Sequence, residues 1–255
     1  MIYIFIFICI IILIIFRFFN YKCIDHYKNS LECLNNIFIF WTGNNSLSEN
    51  RIKSLESLKT VTGANIILIT PTNLHYYVKP YAPLHPAYDY LSLVHKSDYL
   101  RSYFMYHYGS GYSDIKKSLG SWKRGFELIN SNDNIWMVAT REKKAIHVGY
   151  VEDPIIYNQL LKNYRQLPQN GAYICKPNTP LFRDILNDIH KILDIHYEQL
   201  KTNNNWPIRA KKGDGSNYPL GWTEICGSLL HKYALIYNNH ILFDGLPGFD
   251  TDDYI

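Results

Sequence analysis

The stretch from His95 to Lys116, HKSDYLRSYFMYHYGSGYSDIK, constrains the fold of this chain more than any other segment. Tyr99, Tyr103 and Tyr106, together with Leu100, Phe104 and His107, recur at the three- and four-residue spacing of a helix with buried stripes. The spacing predicts a helix over 95–108. Gly109 and Gly111 then stop the helix and permit a tight backbone path. A short β-like run follows and ends in Asp114. In an open α/β sheet the carboxyl end of a strand is the usual place for a ligand. Asp98 and Arg101 lie three residues apart, so they share one helix face and can pair there. Taken on spacing alone, the segment is an amphipathic helix, a turn and one surface carboxylate.

The rest of the chain alternates in the same way. Residues 37–41 read as a buried strand, 65–70 (NIILIT) as a second strand ended by Pro71, and 135–140 (IWMVAT) as another. Ser46 or Ser48 caps a helix through Leu58, although Arg51 stands where a full capping box carries an acid. Further helices are expected over 122–129, 155–164 and 181–200, the last with Ile185, Ile189, Leu193 and His196 on one side. Residues 72–90, rich in Tyr, Pro and His, read as a short helix and a loop. The polar segment 201–218 is a loop of a length that belongs to lids and binding loops. Alternating strands and helices argue α/β with a largely parallel sheet. No internal repeat or low-complexity linker interrupts the pattern, so 37–255 reads as one domain.

A chain of 255 residues is one ordinary domain, with room for a small appendage. Its net charge of +4 is too small to imply nucleic acid and suits an anionic small substrate. Tyrosine is abundant, but Ile, Asn and Lys are abundant too, which points to compositional bias for most of it. Cys9, Cys23, Cys33, Cys175 and Cys226 form neither a CxxC nor a cluster with histidine. Cys23 and Cys33 would be able to pair facing an oxidising lumen; free thiols in a reducing compartment are the reading kept. The sequence has no GxSxG, P-loop, GxGxxG or HExxH, so hydrolase, kinase and dehydrogenase classes lack support.

Residues 2–16 are an uncharged apolar run, extended to Phe19 if Arg17 reaches to the interface. A spanning helix takes about 20 apolar residues, so the run is short but usable. It lacks the preceding basic residue and the following small-residue site of a cleaved signal peptide. The expectation is therefore a single-pass membrane anchor at 1–20 and a polar stem at 21–36. Arg17, Lys22 and Lys28 all follow the run, which puts the domain on the cytoplasmic side.

The residues of 96–116 resemble the nucleotide-sugar site of DXD-type glycosyltransferases, especially the capsular-polysaccharide-synthesis branch. That pattern is a helix SDxxRxxxLxxxGG, then a tyrosine and an Asp-x-Asp. Ser97, Asp98 and Arg101 match it, Gly109, Ser110 and Gly111 match the turn loosely, and Tyr112 and Asp114 follow. Lys116 stands where the second Asp belongs. IFIFWTGNN at 37–45 resembles the family's first strand and donor-binding turn. NGAYICKPNTPLF at 170–182 and YPLGWTEICG at 218–227 resemble its later strand and acceptor-side segments.

The resemblance implies a GT-A-like (Rossmann-like) α/β fold, a mostly parallel sheet flanked by helices, preceded here by the N-terminal membrane helix. It implies transfer of a sugar from a nucleotide-diphosphate sugar to a glycan or carbohydrate acceptor, with retention. Asp98 and Glu224 are the candidate catalytic residues. Trp41, Thr42, Gly43, Arg101, Tyr112, Lys116 and Trp222 are the candidate donor-binding residues, with Trp222, Thr223 and Glu224 expected to open a helix. Asp114 is the candidate ligand of a divalent cation, Mn²⁺ or Mg²⁺. Because of Lys116, two versions stay open. Either Asp114 binds metal with help from His231, His240 or Asp244, or Lys116 itself meets the diphosphate. Period-2 alternation would place 114 and 116 on the same strand face in both versions. The alternative from another class is a degenerate relative that binds a sugar or nucleotide without turnover. A third, a membrane-tethered structural protein, would leave no concave site beside the 109–116 turn.

Overall fold

The computed structural model describes residues 33–250. The main strands are β1 (Asn36–Phe40), β2 (Asn65–Ile69), β3 (Ser110–Ser113), β5 (Met137–Arg141), β6 (Pro168–Cys175) and β7 (Ile241–Leu242). They form one sheet in the order β2-β1-β3-β6-β5-β7. β1 is parallel to both β2 and β3, and β5 is parallel to β7. β6 runs against both of its neighbours, β3 and β5. The sheet is thus mostly parallel, with one reversed strand in its middle. A small ribbon pairs β4 (Lys117–Ser118) with β8 (Phe249–Asp250).

Both faces of the sheet are covered, and strand residues divide between them by parity. Phe38, Phe40, Tyr112, Tyr173, Cys175, Met137 and Ala139 enter one core; Ile37, Ile39, Ala172, Ile174 and Val138 enter the other. Helices α1 (Glu49–Val61) and α3 (Lys123–Ser131) close the second core with Leu55, Leu58, Phe126 and Ile129. The first core is closed by α2 (Leu93–His107), α4 (Pro154–Lys162), α5 (Pro180–Leu200) and α6 (Gly227–Ile236).

Helix α2 starts two residues before the expected position because Ser92 caps it, its hydroxyl accepting from the His95 N–H. Its end follows the glycine signal. The Gly109 N–H turns back to the Phe104 carbonyl, and Gly109 has a φ of 60°, where a Cβ would lie 2.7 Å from the Cys175 oxygen. The plain expectation of an amphipathic helix is corrected. α2 lies between the sheet and α5, so residues on nearly every side of it are buried, Asp98 and Arg101 included. Residues 72–90 contain two short 3₁₀ segments, Leu74–Tyr76 and Pro86–Tyr90, and 201–218 carries no helix or strand.

The helix expected to open at Trp222 opens instead at Gly227. Residues 222–226 form a turn held by Glu224, whose Oε2 accepts from the Gly221 N–H at 2.6 Å. Among the described residues no helix is long and apolar enough to cross a membrane. The anchor expected at 1–20 and nearly all of the stem lie outside the described residues.

Candidate functional site

β1 has its next strand in sequence, β2, on one side and β3 on the other, so the chain order reverses at this point of the sheet. Such a reversal leaves a crevice at the carboxyl ends of the strands. A cleft of about 470 Å³ lies there. Trp41, Thr42 and Gly43 enter it directly after β1, and Asp114 and Lys116 directly after β3; Asp98 and Arg101 reach it from α2, and Trp222 from the turn before α6. Of the candidate residues, Tyr112 and Glu224 do not line it.

The floor is a charged network. Asp114 Oδ1 accepts from the Tyr112 hydroxyl at 2.5 Å and lies 3.5 Å from Arg101 Nη2, and Asp114 Oδ2 lies 2.9 Å from Lys116 Nζ. Arg101 Nη2 also sits 3.3 Å from Asp98 Oδ1, while Arg101 Nη1 donates to the Asn170 carbonyl at 2.8 Å. The guanidinium rests over the Tyr112 ring, 4.3 Å from its centre. Tyr112 therefore acts from beneath the site, fixing both Asp114 and Arg101.

Asp114 and Lys116 do not meet through strand alternation, as the spacing suggested. β3 ends at Ser113, and the Lys116 N–H donates to the Asp114 carbonyl at 2.8 Å, closing a three-residue turn. That turn brings both side chains to the cleft and sends Ile115 into the second core. Gly171 lies against the pair: a Cβ there would be 3.3 Å from Lys116 Nζ and 3.4 Å from Asp114 Oδ2.

Burial opposes the charge on Asp114, but Lys116, then Arg101, then the Tyr112 hydroxyl outweigh it and hold the carboxyl below the ordinary value. Burial likewise opposes the charge on Arg101, but the Asp98 carboxylate beside it offsets the effect, so it stays protonated. Burial pushes the Cys226 thiol well up, against the pull of Arg101, so this cleft residue is a neutral thiol rather than a nucleophilic thiolate.

Sequence reasoning missed several lining residues: Arg51, Asn170, Arg209 and Cys226. Arg51 did leave a signal. A basic side chain in the first turn of a helix opposes the helix dipole, and here Arg51 Nη1 turns away to donate to the Ile115 carbonyl at 3.2 Å. Arg209 comes from the long polar loop, its guanidinium 5.2 Å from the centre of the Trp222 ring. With Arg101 and Lys116 they make four cations against the carboxylates of Asp98 and Asp114. Trp222 is 39% exposed, offering a ring face at the rim. After β1, the Trp41 indole donates to the Asn45 carbonyl at 2.7 Å, and the Thr42 hydroxyl ties this turn to the Leu93 carbonyl at 2.6 Å.

The auxiliary metal ligands are corrected too. His231 is buried elsewhere, between the Gly149 N–H and the Pro168 carbonyl, and His240 stacks on Trp136. Neither they nor Asp244 line the cleft, and among the described residues no group of three His, Cys, Asp or Glu side chains is placed to hold a metal. Both oxygens of Asp114 already face a phenol or a cation. A divalent ion needs several oxygen donors around it, so these residues do not fit one.

No protein-family model matches the chain, and no curated protein matches it. Among solved structures, one described as "PaToxG Glycosyltransferase" aligns over 84% of this chain and 74% of that chain, with 13% identity and a TM-score of 0.41.

Proposed function

We propose that this protein is a GT-A-like glycosyltransferase that moves a sugar from a nucleotide-diphosphate sugar to a glycan or carbohydrate acceptor, with retention. One observation carries the reading: Asp98, Arg101, Asp114 and Lys116 share a single cleft with Arg51 and Arg209, at the carboxyl ends of β1 and β3. A diphosphate concentrates negative charge over a few oxygens, and partly buried Arg and Lys side chains are the groups that match it. Trp41 and Trp222 supply aromatic faces for a base or a sugar ring.

In the transfer, the bond from the sugar C1 to the phosphate oxygen breaks and its electron pair stays on that oxygen. The acceptor oxygen bonds to C1, and the leaving phosphate takes the acceptor's proton. Cations fixed in place beforehand favour the charge that develops on the leaving group. Asp98 is assigned to the sugar hydroxyls. Glu224 receives no role as base, since its carboxylate serves the Gly221 turn. The anchor at 1–20 and a cytoplasmic-side domain belong to the same proposal, on the strength of the apolar run and the basic residues behind it.

The test is donor turnover. The full-length chain is incubated with UDP- and GDP-linked hexoses and an oligosaccharide panel, and released nucleoside diphosphate is measured by chromatography. Release that depends on an acceptor and drops at least about a hundredfold in Asp98→Asn supports the transferase. Donor binding with no release from any pair turns the protein into a sugar or nucleotide binder without turnover.

A further inference from the structure

We infer that the cleft holds a diphosphate without a divalent cation, the Lys116 ammonium taking the place of the metal between Asp114 and the phosphate oxygens. This rests on the transferase reading and specifies how its donor is held.

Three observations converge. Lys116 Nζ lies 2.9 Å from Asp114 Oδ2, the oxygen a cation would need. The other oxygen is engaged by the Tyr112 hydroxyl and faces Arg101. A doubly charged ion here would sit within a few ångströms of two side-chain cations, in a half-buried site where like charges repel strongly. An ammonium has three donors and bridges a carboxylate and a phosphate at once. Arg101 is fixed by the Asn170 carbonyl, Asp98 and the Tyr112 ring, so its charge is already in position. Arg51 and Arg209 line the same cleft. Asp114 then acts as a positioning residue that aims Lys116, and Gly171 leaves the pair its room.

The deciding experiment is calorimetric titration of the full-length chain with UDP and with GDP, each in EDTA and in Mn²⁺. At least one is expected to bind in EDTA, with an affinity within about threefold of that in Mn²⁺. Lys116→Gln is expected to weaken that binding roughly 10- to 100-fold, the worth of one charge-assisted contact. Lys116→Arg, which keeps the charge, should stay within about tenfold, and thermal unfolding of each variant checks that the fold is retained. Lys116→Asp, which rebuilds the acid pair, should bind only when Mn²⁺ is present.

Binding that requires Mn²⁺ in the wild type, with Lys116→Gln unchanged, overturns the inference and leaves the transferase reading standing. Failure of both nucleotides in both conditions overturns the two together.

Discussion

Two carboxylates in this molecule have nearly the same company. Asp114 meets Lys116, Arg101 and the Tyr112 hydroxyl. Asp188 on α5 meets Lys191, Lys232 and the Tyr233 hydroxyl, at 2.8, 2.9 and 2.6 Å. Both are drawn below the ordinary carboxylate value. For Asp188 burial works the other way, and the hydrogen bonds from Lys191, Tyr233 and Lys232 overcome it, bringing the group to about 2.

Their surroundings separate them. The partners of Asp188 come from the next turn of its own helix and from α6, and the cluster staples two helices without lining the cleft beside β1 and β3. The partners of Asp114 come from β3, the turn after it and α2, and Arg51 and Arg209 line the same cleft. A lysine, a tyrosine and a second cation around an Asp do not make a site. Placement of such a cluster at a cleft, beside further polar and aromatic lining, does.

The strongest way to break this contrast is Arg101→Ala. It leaves the buried Asp98 and the half-buried Asp114 with one cation fewer, and urea unfolding should show a loss of about 3–5 kcal/mol, along with lost UDP or GDP binding. A loss below 1 kcal/mol would mean that the network is merely decorative. Asp188→Asn should cost less, about 1–2 kcal/mol after allowing for the exposure of Lys191, and should leave nucleotide binding unchanged.

The pH dependence sharpens the same pair. The folded pKa of Asp188 is depressed, so its stabilisation is fully present above the ordinary carboxylate value of 3.8 and disappears as pH falls toward about 2. Asp188→Asn should flatten the fall in stability across that window, read by thermal unfolding at stepped pH. An unchanged slope would remove Asp188 from the acid response.

Smaller effects belong to the cleft rim. Trp222→Ala should change stability by under about 1 kcal/mol, since the side chain is partly exposed, yet weaken nucleotide or donor binding about tenfold through the lost ring face. Equal binding would reassign Trp222 to the surface. Glu224→Gln keeps an oxygen for the Gly221 N–H, and turnover should stay within about threefold. A hundredfold drop would restore the catalytic role that the sequence suggested.

Much of the frame was legible along the chain. The strands at 37–41 and 65–70, the α1 cap at Ser48 and the glycine stop after α2 all follow from residues a few positions apart, because periodicity and capping are local physics. The Asp98–Arg101 pair was readable for the same reason. Errors arose where a non-local partner decided. Glu224 looked like the start of a helix until the Gly221 N–H claimed it, and α2 looked half-exposed until α5 covered its other side. The reversed β6 had no local signature, since strand direction depends on which neighbour the chain returns to.

The sequence by itself determined most of the elements and the identity of the acid, base and aromatic side chains. Only the tertiary structure decided that Lys116 faces Asp114 across a three-residue turn, and that Arg51 and Arg209 join them from distant segments. Helix and strand patterns record each residue's nearest neighbours in the chain. A cleft's charge is a sum over side chains that meet only after the core has closed.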